Sequence, residues 1–305
     1  MSIDTGETAL VTGAFSRRMN LRLEKQDTDV AARIKGKTLR PVCGDKVIAQ
    51  PIANEPDWLI TSILPRDNEL TRPDSRGRTE VLAANLSAVV VMAAVEPSPD
   101  WFVVDRYIAA AENMGAQSIV VFNKADLASS SADTDEVLRE YAGCGYPVVK
   151  CSARTGNGIE ELATLLATQT AIIVGQSGVG KSSVINFLIR DAGQRTAELS
   201  TSRGEGRHTT VSSVMLELPD GGVVIDSPGV RDYAPAIESA DEVVQGFREI
   251  NRTGSDCRFA DCRHLREPDC AVKAAVDDGR ISARRYESYK RLMVLSKELA
   301  QKRSP

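Results

Sequence analysis

Apolar positions along this chain follow two regimes. Up to about residue 80 they come in short pieces, at residues 9–11, 20–23 and 46–49, separated by polar and Gly/Pro-rich stretches. That pattern predicts short β-strands of a small barrel or sandwich, between which periodicity does not choose. Residues 42–45 predict a tight turn before a strand. Residues 65–78 are polar and carry Arg66, Arg72, Arg76 and Arg78, so they predict a loop with a domain boundary near its end. Beyond it the pattern alternates. Residues 88–95 are continuously apolar, as in a strand covered on both faces. Helical spacing follows at 101–114, a strand at 118–122, a helix at 135–141 and a strand at 147–150. A helix at 158–167, a strand at 171–174 and a helix from 182 to 189 complete the series, with a strand pair at 214–218 and 223–225. Strand and helix in alternation predict a mostly parallel sheet with helices on both faces. After Asp241 the pattern is helical, with one long helix at 281–302. No internal repeat is present.

Three of the predicted strands end in segments with recognisable chemistry. The strand at 171–174 runs into Gly175-Gln176-Ser177-Gly178-Val179-Gly180-Lys181-Ser182-Ser183, a G-x-x-x-x-G-K-S phosphate loop in its required setting between strand and helix. Its glycines can aim successive N–H groups at phosphate oxygens, and the helix N-terminus favours anions. Lys181 is placed for the β- and γ-phosphates and Ser182 for Mg²⁺. The strand at 223–225 ends in Asp226-Ser-Pro-Gly229. There Asp226 is placed to hold Mg²⁺ and the Gly229 N–H to sense the γ-phosphate. The strand at 118–122 ends in Asn123-Lys124-Ala125-Asp126, whose carboxylate can accept from guanine N1–H and its exocyclic amine. Adenine presents no such donor pair. Ser152 and Ala153, after the next strand, match the segment that contacts guanine O6 through backbone N–H groups.

The order of these pieces is unusual. The guanine reader comes about fifty residues before the phosphate loop, whereas an ordinary GTPase has them the other way round, so the domain is circularly permuted. Between phosphate loop and Asp226 lies the Gly-rich, polar stretch around His208, Thr209 and Thr210, suited to a mobile switch. Either threonine could contact Mg²⁺. Where many GTPases carry a water-orienting Gln after D-x-x-G, this chain has Val230, which leaves His208 as the nearest polar candidate for that task.

Composition and charge narrow the class. The chain has 305 residues, 42% hydrophobic and 26% charged, enough for two or three domains. No apolar run reaches the roughly 18 residues of a membrane span. The first seven residues lack a basic and then apolar leader, so the expectation is a cytoplasmic protein. The net charge of −4 is unevenly spread: residues 1–80 carry +1, residues 81–250 carry −10 and residues 251–305 carry +5. A basic end could face an anionic partner or form a solvated helical surface. Three of the six cysteines fall in Cys257-x4-Cys262-x-His264-x5-Cys270. Three thiolates and an imidazole make a tetrahedral structural zinc set, with no position left for a catalytic water.

Taken together, these residues resemble the RsgA (YjeQ) family of small-subunit-dependent bacterial GTPases. The resemblance covers nearly the whole chain. It includes Val42-Cys-Gly-Asp-Lys-Val47, Ala83-Ala-Asn85, Asp105-Arg-Tyr107, Gly206-Arg-His-Thr-Thr210 and the nucleotide and Cys/His motifs above. It implies an α/β, circularly permuted P-loop GTPase domain at residues 79–235. An OB-fold barrel at 1–78 would precede it and a helical zinc-binding domain at 236–305 follow it. It further implies GTP and GDP as ligands, Mg²⁺, one structural Zn²⁺, and action on the small (30S) ribosomal subunit and its 16S rRNA as a late assembly factor. It implies a monomer with no membrane partner. The rival expectations are a non-hydrolysing RNA-binding scaffold with a vestigial nucleotide site and a DNA-binding zinc protein. Intact Lys181, Ser182, Asp226 and Asp126 oppose the first, and the absence of a recognisable recognition helix opposes the second.

Overall fold

The computed structural model describes residues 6–15, 18–36, 38–73, 79–127, 132–189, 213–227, 237 and 239–303. The first part is a five-stranded barrel of β1 (Glu7–Ala14), β2 (Met19–Leu23), β3 (Thr28–Ile34), β4 (Lys46–Pro51) and β5 (Trp58–Ile63). Its order is β1-β2-β3-β5-β4, closed by β1 pairing with β4. Closure leaves no free edge. Inward positions alternate with outward ones, and Ala9, Val11, Leu21, Leu23, Val47 and Ile60 fill the interior. This is the barrel of the two alternatives that periodicity left open.

Residues 65–78 do not form one loop. Glu69–Pro73 is strand β6, antiparallel to β7 (Thr79–Ala84). Four of the five β6 residues lack an apolar side chain or the freedom to pair, which hid the strand. A cross-strand Arg72–Glu80 pair at 2.8 Å and the buried Leu70 hold it. Strands β3 and β5 also lie outside the short apolar pieces picked by pattern.

The second part is the expected α/β sheet. It contains β8 (Ala88–Ala94), β9 (Gln117–Asn123), β10 (Val148–Lys150), β11 (Thr170–Gly175), β12 (Ser213–Glu217) and β13 (Val223–Asp226). The order is β10-β9-β8-β11-β13-β12, parallel except for β12, which is antiparallel to β13. Strand β8 is buried along its whole length because both its faces are covered. Val89, Val91 and Ala93 pack toward α1 (Trp101–Asn113) and α2 (Ala132–Gly143). Ala88, Val90, Met92 and Ala94 pack toward α3 (Ile159–Leu166) and α4 (Lys181–Leu188). Helix α1 starts where the Asp100 carboxylate accepts from the N–H groups of Phe102 and Val103. Barrel and α/β sheet are continuous: β1 pairs with β12 at Gly13↔Val214 and Ala14↔Ser213.

The third part is helical: α5 (Ala240–Gln245), α6 (Arg248–Gly254), α7 (Ala271–Asp277) and the long α8 (Ala283–Arg303). Ser239 and Glu242 form a capping box that starts α5. Among the described residues no helix is long and apolar enough to cross a membrane.

Candidate functional site

Parallel strands β8, β9, β11 and β13 all end at one edge of the sheet, and the candidate motifs follow those ends. Gly180 closes the phosphate loop as the N-cap of α4 with φ of 95°. A Cβ there would collide with the Asn123 amide, so both backbone angle and space require glycine. Lys181 is 9% exposed and donates from Nζ to the carbonyls of Gly175 and Gln176 at 2.6 and 2.7 Å. The ammonium is therefore held against the loop's own backbone. Gln176 Oε1 accepts from the Asp100 N–H at 2.9 Å, which fastens the loop to the start of α1.

Asn123 joins three segments distant in sequence. Its amide nitrogen donates to the Val179 carbonyl in the phosphate loop at 2.9 Å, and its oxygen accepts from the Ala153 N–H at 3.1 Å. Asn123 is 1% exposed. The Ala125 N–H donates to the Cys151 carbonyl at 3.1 Å. Lys124, at φ of 61°, sends Nζ to the Glu96 carbonyl at 2.6 Å. A pocket of about 280 Å³ results, lined by Asn123, Lys124, Asp126, Ala153, Gly180 and Ser183, among others.

The Asp126 carboxylate faces that pocket with both oxygens engaged. Oδ1 accepts from the Ser152 hydroxyl and Oδ2 from Arg154 Nε at 2.7 Å. The Ser152 hydroxyl bond, with help from Arg154, holds Asp126 below the usual carboxylate range. Arg154 was not among the sequence candidates. Its signal was its position directly after Ser152-Ala153. A larger cleft of about 680 Å³ lies elsewhere, between the barrel and the β12–β13 hairpin, and no candidate nucleotide- or metal-site residue lines it.

Ser182 and Asp226 are hard oxygen donors of the kind Mg²⁺ prefers. Ser182 lies in the first turn of α4 and Asp226 ends β13, whose neighbour β11 feeds the phosphate loop in parallel. Both therefore belong to the same sheet edge. His208, Thr209, Thr210 and Gly229 lie outside the described residues.

The Cys257, Cys262, His264 and Cys270 ligand atoms lie within 4.8 Å of one another. Bonds of about 2.3 Å to sulfur and about 2.0–2.1 Å to nitrogen put tetrahedral thiolates about 3.8 Å apart and an imidazole nitrogen about 3.5 Å from each sulfur. The Cys257 and Cys270 sulfurs are 3.8 Å apart, and each lies 3.5 Å from His264 Nδ1. The set fits zinc. The loop that carries it is independently braced. The Tyr286 hydroxyl donates to the His264 carbonyl at 2.6 Å and the Tyr289 hydroxyl to the Arg263 carbonyl at 2.8 Å. Burial would raise the Glu267 carboxyl, yet backbone N–H groups of Glu267 itself, Arg263, Leu265 and Arg266 hold it at about 2.

The C-terminal helices dock on α1 through a buried charge cluster. Arg285 is fully buried, donating to Glu249 at 2.6 and 3.0 Å and to Asp105 at 2.7 Å. Asp105 also accepts from Arg284 at 2.9 Å and from the Tyr141 hydroxyl at 2.8 Å.

The chain is similar to known proteins over nearly its whole length. A family model described as RsgA GTPase matches residues 63–235. A protein named small ribosomal subunit biogenesis GTPase RsgA, from Ectopseudomonas mendocina, is 38% identical over 294 residues, covering 94% of this chain and 85% of its own length. The crystal structure of YjeQ from Thermotoga maritima superposes with a TM-score of 0.76 at 29% identity, over 95% of this chain and 98% of that one. The structure of YloQ, a circularly permuted GTPase, does so with a TM-score of 0.72 at 25% identity, over 98% of both chains.

Proposed function

Because this chain belongs to the RsgA GTPase family, we propose that it hydrolyses GTP on the small ribosomal subunit, as a late assembly factor whose turnover the subunit stimulates. The observation that carries the reading is the Asn123 bridge. One amide ties the guanine reader to the phosphate loop and to the Ser152-Ala153 segment, so base and phosphate sites share one rigid frame.

In this reading Asp126 pairs with the guanine N1–H and exocyclic amine, and the Ser152-Ala153 segment lies beside O6. The backbone from Gly175 to Gly180, including Gln176, Ser177, Gly178 and Val179, wraps the phosphates with Ser183 beside it. Lys181 turns its ammonium from loop carbonyls to the β- and γ-phosphates. Ser182 and Asp226 would hold Mg²⁺, which when bound would supply charge neutralisation at the phosphoryl oxygens. Gly229 senses the γ-phosphate, Thr209 or Thr210 completes the metal site, and His208 positions water in place of the Gln that Val230 displaces. Cys257, Cys262, His264 and Cys270 hold a structural Zn²⁺.

Three units follow, a barrel at residues 1–78, a GTPase centre at 79–235 and a zinc module at 236–305, working as a monomer in the cytoplasm. The barrel and the +5 charge of residues 251–305 would supply two contacts to 16S rRNA on either side of the acidic centre. A partner that completes a GTPase site raises the rate by roughly 10³–10⁵-fold. The test is hydrolysis at fixed GTP with small subunits titrated from zero to excess. A steep, saturable rise is expected, and a flat response would remove the subunit from this account.

A further inference from the structure

Three small side chains that the reaction above does not use form a buried chain between the barrel and Asp226. Cys43, in the turn before β4, is fully buried and donates its thiol to the Ser213 carbonyl at 3.1 Å. Burial pushes that thiol up to about 12, so at neutral pH it remains a donor. Ser213 opens β12, is 7% exposed, and donates its hydroxyl to the Ser227 hydroxyl at 2.9 Å. Ser227 is 5% exposed and directly follows Asp226.

The barrel end of this chain is anchored on several sides. The Cys43 carbonyl accepts from the Ala84 N–H at 3.0 Å, and the Gly44 N–H donates to the Val11 carbonyl at 3.0 Å. Gly44 has φ of 91°, and a Cβ there would strike the Ala84 carbonyl. The Asp45 carboxylate, fully buried, accepts from the Val42 N–H at 2.8 Å and from two nitrogens of Arg66 at 2.7 and 2.8 Å. The turn is thus a rigid block. At the other end Asp226 is fixed on one side by its register with Val214. On the other side it is held through its neighbour Ser227. Metal ligands need their position held to within about 0.5 Å by packed and hydrogen-bonded neighbours.

We propose that Ser227, backed by Ser213 and by the barrel's Cys43, is a positioning residue for the Asp226 carboxylate as a magnesium ligand, so that the barrel is part of the frame of the metal site. This rests on the reading that Asp226 holds Mg²⁺. It makes a definite claim about the barrel: displacing the turn around Cys43 alters metal affinity at a site in another part of the molecule.

The test is GDP binding by the full chain, measured by calorimetry over a range of Mg²⁺ concentrations. Removing a neighbour that orients a metal ligand costs roughly 10–100-fold in metal affinity. Ser227→Ala and Ser213→Ala should each raise the Mg²⁺ concentration for half-maximal effect by about 10-fold or more. Their combination should add little, because both break one bond. Cys43→Ala should shift it in the same direction by less, and Cys43→Ser, which keeps a donor, should restore it. GDP affinity without Mg²⁺ should stay within about twofold throughout, as expected when only the metal ligand is displaced. Asp226→Asn separates the two levels of the argument. If it leaves the Mg²⁺ dependence intact, the assignment of Asp226 fails and takes this inference with it. If Asp226→Asn abolishes the dependence while the Ser227, Ser213 and Cys43 variants leave it where it was, the positioning role alone is overturned.

Discussion

Arg285 carries a charge with no exposed surface, and its guanidinium is paired with carboxylates from two other helices, Asp105 on α1 and Glu249 on α6. Such a cluster is stable because every member is paired. Removing one partner leaves uncompensated buried charge and costs about 3–5 kcal/mol. Arg285→Met should lower unfolding stability by that order in chemical denaturation. The double change Arg285→Met, Glu249→Leu removes one charge of each sign, leaves Asp105 paired with Arg284, and should recover much of it. At the base pocket the single decisive side chain is Asp126. Asp126→Asn should weaken GTP roughly 10³-fold or more, since a site built on paired hydrogen bonds rejects mismatched groups sharply. Fluorescent-nucleotide titration checks this, and equal affinity of the unmutated protein for ATP and GTP would contradict the assignment.

Among elements, the loop from Cys257 to Cys270 depends most on something other than its own packing. It has no regular secondary structure between α6 and α7, and half of its residues are exposed. Apparent zinc contributions to small domains are on the order of 10–16 kcal/mol. Cys262→Ser should therefore lose the metal and raise amide exchange across residues 255–270, while GTP binding survives. Less than half a zinc per chain in protein purified without chelator would count against it. The helices around the loop should respond less than the loop itself. They keep the Arg285 cluster and the Phe247–Tyr289 edge contact, with ring centroids 5.6 Å apart.

At the scale of the whole molecule, the three parts are joined by bonds of different kinds. Barrel and GTPase sheet share strand pairing through β1 and β12. The C-terminal helices share buried charge with α1, and α1 in turn is fastened to the phosphate loop through Gln176. A signal between the nucleotide and the C-terminal helices thus has a described path through α1, besides the covalent path after Asp226. The charge distribution, −10 over residues 81–250 and +5 over residues 251–305, sets how RNA would be met. Binding to small subunits should weaken linearly in log–log terms as salt rises. Replacing an exposed lysine on α8 that contacts phosphate, with Lys297→Ala as the first choice, should reduce the slope by about 1. An unchanged slope would place the contact elsewhere.

Much of this was written locally in the chain. Phosphate loop, guanine reader, D-x-x-G and Cys/His cluster each consist of residues within fifteen positions of one another. Their chemistry depends on spacing along the backbone, and spacing survives without a structure. Fully buried strands such as β8 were legible for the same reason: covering both faces leaves a continuous apolar run. Strand β6 was not legible, because its stability comes from partners across the hairpin and not from its own composition. Nor were Arg154 on Asp126, Gln176 on Asp100, the Arg285 cluster, or the line from Cys43 through Ser213 to Ser227. Cys43 and Ser213 are 170 positions apart, and Arg285 and Asp105 are 180 apart. The sequence by itself determined which ligands the site is built for and that its segments come in permuted order. Only the tertiary structure decided which side chains hold those segments together, because hydrogen bonds and buried ion pairs depend on distances that closing the fold creates.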